Sequence, residues 1–121
     1  MYGAVLSGVD TRARWYVLMA GNPSFAKWYT YEAKPKDPTA YAAQMAQLDP
    51  AQYLAQSKAE EMLFQFANKD PYISADEAQA FAAQAPLPHG TFIYKSGHSL
   101  DVPDAFADRM AWLEERLNPA P

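Results

Sequence analysis

Short apolar runs that alternate with helix-forming segments are the feature that most constrains the fold of this chain. The runs 62–66 and 91–95 are rich in aromatic and aliphatic residues, which is typical of strands buried in a sheet. Between them, the segment 74–77 has the spacing of a capping box, which predicts a helix that ends near Ala85. A strand, a helix and a second strand in this order predict a right-handed crossover between two parallel strands.

The remaining segments extend the same alternation towards both ends of the chain. A third apolar run, 15–20, ends at a Gly-Asn-Pro sequence and is predicted to be a strand. Further helices are predicted at 2–9, from the pair Asp37-Pro38, at 50–59 with Asp49 as its cap, and from Pro103. Apolar residues at helical spacing form one apolar stripe in each of two predicted helices: Tyr41, Met45 and Leu48, and Phe106, Met110, Leu113 and Leu117. The predicted fold class is α/β, a single domain over 1–121 with about three parallel strands and flanking helices.

Composition excludes several functional classes. The 121 residues carry a formal net charge of -4 at pH 7, which leaves no basic surface of the kind that binds nucleic acid. Without cysteine, the chain has no disulfide, no thiolate nucleophile and no cysteine metal ligand. No apolar run reaches the roughly 20 residues of a membrane-spanning helix, and the first ten residues lack the basic region of a signal peptide. We therefore expect a cytoplasmic protein that binds neither nucleic acid nor a membrane.

The sequence predicts neither a cofactor nor a metal ion. It contains no Gly-x-Gly-x-x-Gly or Walker sequence that would hold a nucleotide. The two histidines, His89 and His98, lie at opposite ends of one predicted strand and lack the spacing of paired metal ligands. A metal site formed by these histidines with Asp70, Asp101 and Asp104 is therefore the less favoured alternative. His89, which stands between a proline and a glycine, is predicted to be an exposed turn residue.

An aspartate and a histidine follow two neighbouring strands of the predicted sheet. Asp70 comes four residues after the strand 62–66, and His98 comes three residues after the strand 91–95. Ligands of open parallel sheets bind beyond the carboxyl ends of the strands, where both side chains are expected. Each residue alone fits an ordinary turn, since Asp70 precedes a proline and His98 lies in a loop that leads to a helix. As a pair they predict a catalytic acid and base, because a carboxylate there can orient an imidazole through its Nδ1–H.

Several of these segments together resemble the C-terminal part of an α/β-hydrolase of the dienelactone-hydrolase or esterase type. The matching segments are Met-Leu-Phe-Gln-Phe-Ala-Asn-Lys-Asp-Pro at 62–71, Tyr-Lys-Ser-Gly-His at 94–98 and the closing helix at 106–117. Residues 1–10 are similar to the helix that follows a nucleophile elbow, and 15–20 are similar to the next strand. The resemblance therefore covers nearly the whole chain, but only about half of a complete hydrolase.

The resemblance implies a fold, a reaction and two site residues. Asp70 would be the triad acid, His98 the triad base, and the substrate a small carboxyl ester or lactone. The Gly-x-Ser-x-Gly elbow that would carry the nucleophile and part of the oxyanion hole is absent from the sequence. We therefore expect a truncated α/β-hydrolase that retains the acid and the base.

Two functions remain open on the sequence alone. The first is weak hydrolysis of activated esters or lactones, with His98 acting on water or on a hydroxyl of Ser24, Ser96, Ser99 or Tyr72. The second is a catalytically inactive oligomeric remnant, or a binding module that uses the aromatic surface.

Aromatic residues in the segment 22–36 are candidates for substrate binding. We expect Trp28 and Tyr29, together with Tyr72, to form an apolar wall of the cleft. The alternative for these aromatic residues is ordinary packing beneath a short lid.

The first predicted strand suggests self-association. In a sheet of three strands, the run 15–20 becomes an edge, and Tyr16, Val17, Leu18 and Met19 are expected to face water. An apolar edge strand without charges is a template for pairing with another chain. We therefore expect a homo-oligomer, most simply a two-fold dimer in which two such strands pair antiparallel.

Overall fold

Three parallel strands form one sheet in the computed structural model, which describes residues 1–86 and 88–118. The strands are β1 (Trp15–Met19), β2 (Glu61–Ala67) and β3 (His89–Tyr94), and β2 lies between the other two. In the register of the sheet, Leu18 of β1 lies opposite Phe64 of β2, and Phe64 lies opposite Thr91 of β3. The predicted α/β class with parallel strands is therefore confirmed.

Helices flank the sheet on both faces and connect its strands. A short 3-10 turn at Ala46–Leu48 joins two of them. The helices are α1 (Tyr2–Val9), α2 (Phe25–Tyr29), α3 (Pro38–Met45), α4 (Pro50–Leu54), α5 (Ala75–Ala82) and α6 (Pro103–Leu117).

The predicted helix starts are mostly confirmed at the level of single hydrogen bonds. Asp37 accepts a hydrogen bond from the backbone of Ala40 at 2.9 Å, and the capping box of α5 forms in both directions. Asp49 is the exception, because its side chain does not cap α4. Its Oδ1 instead accepts from the backbone N–H of Phe25 at 3.0 Å, which ties the start of α2 to the start of α4.

The main apolar core lies between the sheet and the helices α1, α4 and α5. Phe64, Phe66, Leu54 and Phe81 are fully buried in it. Close packing of α1 on α4 requires glycine at position 8, since a Cβ there would lie 2.4 Å from the carbonyl oxygen of Tyr53.

The expectation that four residues of β1 face water is wrong for two of them. Tyr16 and Leu18 are buried, because α1 packs over this face of the strand and contributes to the same core. Val17 is half-buried on the opposite face, and Met19 alone among the four is exposed, at 41%.

The apolar stripes of α3 and α6 are not buried. No residue of α3 is buried, and Phe106 and Leu117 of α6 are more than half exposed. The side of α6 that faces the sheet carries Ala105 and Arg109 instead, because β2 presents polar groups there. Hydrophobic periodicity identified both helices, but it does not indicate which face α6 turns to the sheet.

Candidate active site

The carboxyl ends of β2 and β3 bring Asp70 and His98 to the same edge of the sheet. Backbone hydrogen bonds continue past the strands, from Asn68 N to the carbonyl of Tyr94 at 2.9 Å and from Lys69 N to that of Ser96 at 3.1 Å. These bonds hold the two loops side by side just before Asp70 and His98.

The acid and the base predicted from the sequence are in hydrogen-bonding contact. His98 Nδ1 lies 2.8 Å from Asp70 Oδ2. The side chain of Asp70 is completely buried, whereas that of His98 is 33% exposed. The other carboxylate oxygen of Asp70 accepts from the backbone N–H of Tyr72 at 2.9 Å, which closes an Asx turn and orients the carboxylate.

This arrangement assigns distinct roles to the two ring nitrogens of His98. The carboxylate of Asp70 accepts a hydrogen bond from Nδ1–H of His98. The neutral imidazole therefore carries its available lone pair on Nε2. Within the part of the chain that the structure describes, Nε2 has no hydrogen-bond partner. The geometry can therefore support proton transfer at Nε2, with Asp70 stabilising the imidazolium that forms.

Two aromatic rings enclose the imidazole of His98. The ring of Tyr72 meets it edge-on at a centroid distance of 4.8 Å, and the ring of Trp28 lies 5.4 Å away at an angle of 30°. Trp28 and Tyr72 also contact one another at 4.9 Å. These contacts restrict the rotation of the imidazole and exclude water from part of its surface.

Asn22 is a buried residue that positions this aromatic pair and that the sequence did not single out. Its Nδ2 donates to the carbonyl of Tyr72 at 3.1 Å, and its Oδ1 accepts from Ser24 N at 3.0 Å. Asn22 therefore joins the loop after β1 to the loop after β2. The Gly-Asn-Pro sequence at this point signalled only the end of a strand, since the partner of the amide is fifty residues away.

A cavity of about 340 Å³ opens beside the aromatic pair. The predicted substrate-binding residues Trp28, Tyr29 and Tyr72 all line it. Tyr31 and Glu32 line it as well, and the sequence did not indicate Glu32. The remaining lining residue is Ala33.

Tyr29 differs from the other two predicted binding residues in its contacts. Its hydroxyl forms a hydrogen bond of 2.7 Å with that of Tyr2, and its ring stacks on Phe25 at 6.0 Å. The hydrogen bond with Tyr2 raises the pKa of Tyr29 above its ordinary value. Tyr29 therefore forms the outer wall of the cavity, while Trp28 and Tyr72 adjoin the histidine.

Ser24, Ser96 and His89 make contacts other than with Asp70 and His98. Ser24 Oγ accepts from Lys27 N as the cap of α2, and Ser96 Oγ is buried without a partner among the described residues. His89 is the first residue of β3 and packs edge-on against Phe64 at 5.7 Å, with a buried Nδ1. Its interpretation as an exposed turn residue is therefore wrong. Among residues 1–86 and 88–118, no cluster of three or more metal-ligating side chains is present.

Solved structures of three hydrolases are similar to this chain. The acetyl xylan esterase from Paenibacillus sp. R4 aligns with 93% of the chain at a TM-score of 0.74 and 15% identity. The acylaminoacyl peptidase of Pyrococcus horikoshii aligns with 99% of it at 0.73 and 15% identity. The Pyrococcus furiosus esterase Pf2001 aligns with 94% at 0.65 and 13% identity.

This chain has the fold of part of these α/β-hydrolase structures. It spans 40%, 23% and 48% of the three chains, which is less than half of each. Its sequence matches no protein-family model and no curated protein sequence. In the α/β-hydrolase fold the triad acid precedes the triad base along the chain, and Asp70 precedes His98 in the same order.

None of the described helices is long and apolar enough to cross a membrane.

Proposed function

We propose that this chain carries the acid and base of a carboxyl-ester hydrolase site, with His98 as general base and Asp70 as the residue that orients it. The carrying observation is the 2.8 Å contact between a buried carboxylate and a partly exposed imidazole at the carboxyl edge of the sheet. Two of the similar structures are esterases by name, which supports an ester as substrate.

The proposed reaction is hydrolysis with water as the nucleophile. His98 Nε2 takes a proton from water while the water oxygen bonds to the carbonyl carbon of the ester. The imidazolium then returns this proton to the departing alkoxide as the C–O bond breaks, which yields a carboxylic acid and an alcohol. Asp70 stays ionised throughout and stabilises the imidazolium.

Water is favoured over the hydroxyls of Ser24 and Ser96 because of where these two hydroxyls lie. Ser24 Oγ serves as a helix cap, and Ser96 Oγ is buried. A positioned general base accelerates such a reaction by roughly 10² to 10⁴-fold, whereas one oxyanion-hole donor is worth about 10² to 10³-fold. We therefore expect cleavage of activated esters, whose leaving groups need little further stabilisation.

The test is hydrolysis of p-nitrophenyl acetate and butyrate by the wild-type chain and by His98→Ala. Free histidine at equal concentration measures the intrinsic reactivity of an imidazole. We expect a wild-type rate at least about tenfold above this reference, because positioning contributes at least that much. The rate should fall to the reference in His98→Ala and by about tenfold or more in Asp70→Asn, which keeps the shape but not the charge of the carboxylate.

His89→Gln is the matched control, because His89 lies at the opposite end of β3. It should keep the wild-type rate, although it also removes one imidazole. Equal rates in the wild type and His98→Ala would overturn the proposal and favour the alternative, a non-catalytic binding module or oligomeric remnant.

We also propose that two copies of the chain pair through the outer edge of β1. This strand pairs with β2 on one side only. Val17 and Met19 lie on the face of β1 that is only partly covered. Light scattering at micromolar concentration should give the mass of a dimer. Val17→Lys should reduce it to the mass of a monomer, while Thr91→Lys on the other outer strand should not. A wild-type monomer would contradict this proposal.

A further inference from the structure

The cavity beside His98 has walls of a particular chemistry. Four of its lining residues are aromatic: Trp28, Tyr29, Tyr31 and Tyr72. The rings of Trp28 and Tyr31 are inclined to that of Tyr72 by 54° and 65°, at centroid distances of 4.9 and 4.6 Å. They therefore form walls of different orientation and do not make one flat stack.

The charged residue of this cavity is a carboxylate. Glu32 lines the cavity, and within the described residues it forms no salt bridge. None of the described lining residues is a lysine, an arginine or a histidine.

We propose that this cavity binds a quaternary or tertiary ammonium group. Aromatic rings attract cations through their negative faces, and cages of such rings recognise quaternary ammonium ligands. Glu32 adds a full negative charge at the same place, and the net charge of -4 favours a cation over an anion as the ligand.

The inference rests on the proposed hydrolase and names its substrates. Trp28 and Tyr72 each contact both the cavity and the ring of His98. A cationic group in the cavity would therefore hold an ester linked to it near the imidazole of His98. The substrate class is esters of small amino alcohols, of the kind that choline represents.

The test is binding of choline chloride to the full chain, with 3,3-dimethylbutan-1-ol as the uncharged molecule of the same shape. Nuclear magnetic resonance follows the methyl protons of each ligand, which ring currents shift upfield when they enter an aromatic cage. We expect saturable choline binding in the millimolar range, at least about tenfold tighter than that of the alcohol. Equal affinities would show an apolar pocket without cation recognition, and no saturable choline binding up to about 0.1 M would also overturn the proposal.

Two variants test the residues that carry the inference. Because Tyr31 is 54% exposed, the substitution Tyr31→Leu should have little effect on folding. It should lower the affinity for choline at least about fivefold. Glu32→Gln should weaken choline binding by about threefold or more and leave the affinity for the neutral alcohol unchanged. Glu114→Gln removes an exposed carboxylate from α6 and should change the affinity for neither ligand. Unchanged choline affinity in both Tyr31→Leu and Glu32→Gln would contradict the proposal.

The binding experiment separates this inference from the proposed hydrolysis. It involves no bond cleavage, and choline should bind equally to His98→Ala. Hydrolysis of p-nitrophenyl acetate, which carries no ammonium group, tests the role of His98 independently. If the wild-type chain showed His98-dependent hydrolysis but no choline binding, the cation site alone would therefore be rejected.

Discussion

The two faces of the central strand β2 are held against the rest of the molecule by different forces. On one face, Phe64 and Phe66 pack beneath α1, α4 and α5 in an apolar core. On the other face, Gln65 and Glu61 meet a single helix, α6, through hydrogen bonds and an ion pair. Neighbouring residues of one strand thus enter the main apolar core and a face where a polar network lies beside a smaller apolar cluster of Ala67, Tyr94, Leu100 and Ala105.

The polar face depends on a connected set of hydrogen bonds around Gln65. Its Nε2 donates to the hydroxyl of Tyr94 at 2.9 Å and to the carbonyl of Ala105 at 2.7 Å. Its Oε1 accepts from Arg109 at 3.0 Å, and Tyr94 donates to Asp108 at 2.9 Å. Apolar packing tolerates small shifts, whereas this network requires each partner in place, so we expect it to set the position of α6.

The largest expected effect comes from breaking the apolar face. Phe64→Ala removes a fully buried ring that contacts those of Phe66, Phe81 and His89, so the free energy of unfolding should fall by about 3–5 kcal/mol. Urea denaturation followed by circular dichroism measures this loss. Phe92→Ala, which removes a 45% exposed ring from the polar face, should cost less than about 1 kcal/mol. Equal losses would show that the two faces do not differ in this way.

A smaller effect should follow from breaking the polar face. Gln65→Met keeps the length of the side chain but leaves the carbonyl of Ala105 and the guanidinium of Arg109 without this partner. The free energy of unfolding should fall by about 1–3 kcal/mol in the same denaturation experiment. Gln84→Met, at an exposed position in the turn that follows α5, serves as the control and should be neutral within about 0.5 kcal/mol. If Gln65→Met were as stable as the wild type, apolar packing alone would suffice on both faces.

The smallest effect is a pH dependence that belongs to the polar face alone. Burial, followed by the hydrogen bond to Asp108, raises the pKa of Tyr94 to about 12. The unfolded chain releases this proton near pH 10, so the folded state binds more protons between these values and stability falls as the pH rises. The contribution is fully present below about pH 10, and about 1–2 kcal/mol should be lost by about pH 12.

Comparison with Tyr94→Phe isolates this contribution from other groups that titrate in the same range. Thermal unfolding at a series of pH values should show the wild type losing stability relative to the variant above about pH 10. Parallel curves for the two proteins would mean that the environment of Tyr94 does not favour its neutral form.

Much of the candidate site was predictable because it depends on local signals. The strand patterns, the capping box at 74–77 and the positions of Asp70 and His98 after their strands are all readable within short windows. Parallel pairing then brings the carboxyl ends of β2 and β3 together, so the contact between the two side chains follows from topology. Their catalytic roles remain a prediction.

The features that the sequence missed depend on partners far along the chain. The helix α2 is too short to show a helical period, and Asn22 reveals its role only where it meets Tyr72. Asp49 has the signature of a helix cap, yet the backbone of Phe25 competes successfully for its carboxylate. Local propensity is a weak preference that a tertiary hydrogen bond can override.

By itself, the sequence determined the three strands and the starts of most helices, since alternation, proline and capping residues act over a few positions. It also determined that Asp70 and His98 follow adjacent strands. The tertiary structure alone decided which face of α6 meets the sheet, because the polar groups of β2 select partners that hydrophobicity does not reveal. It likewise decided that Glu32 joins four aromatic rings around one cavity, since that cavity exists only where the loops after β1 and β2 meet.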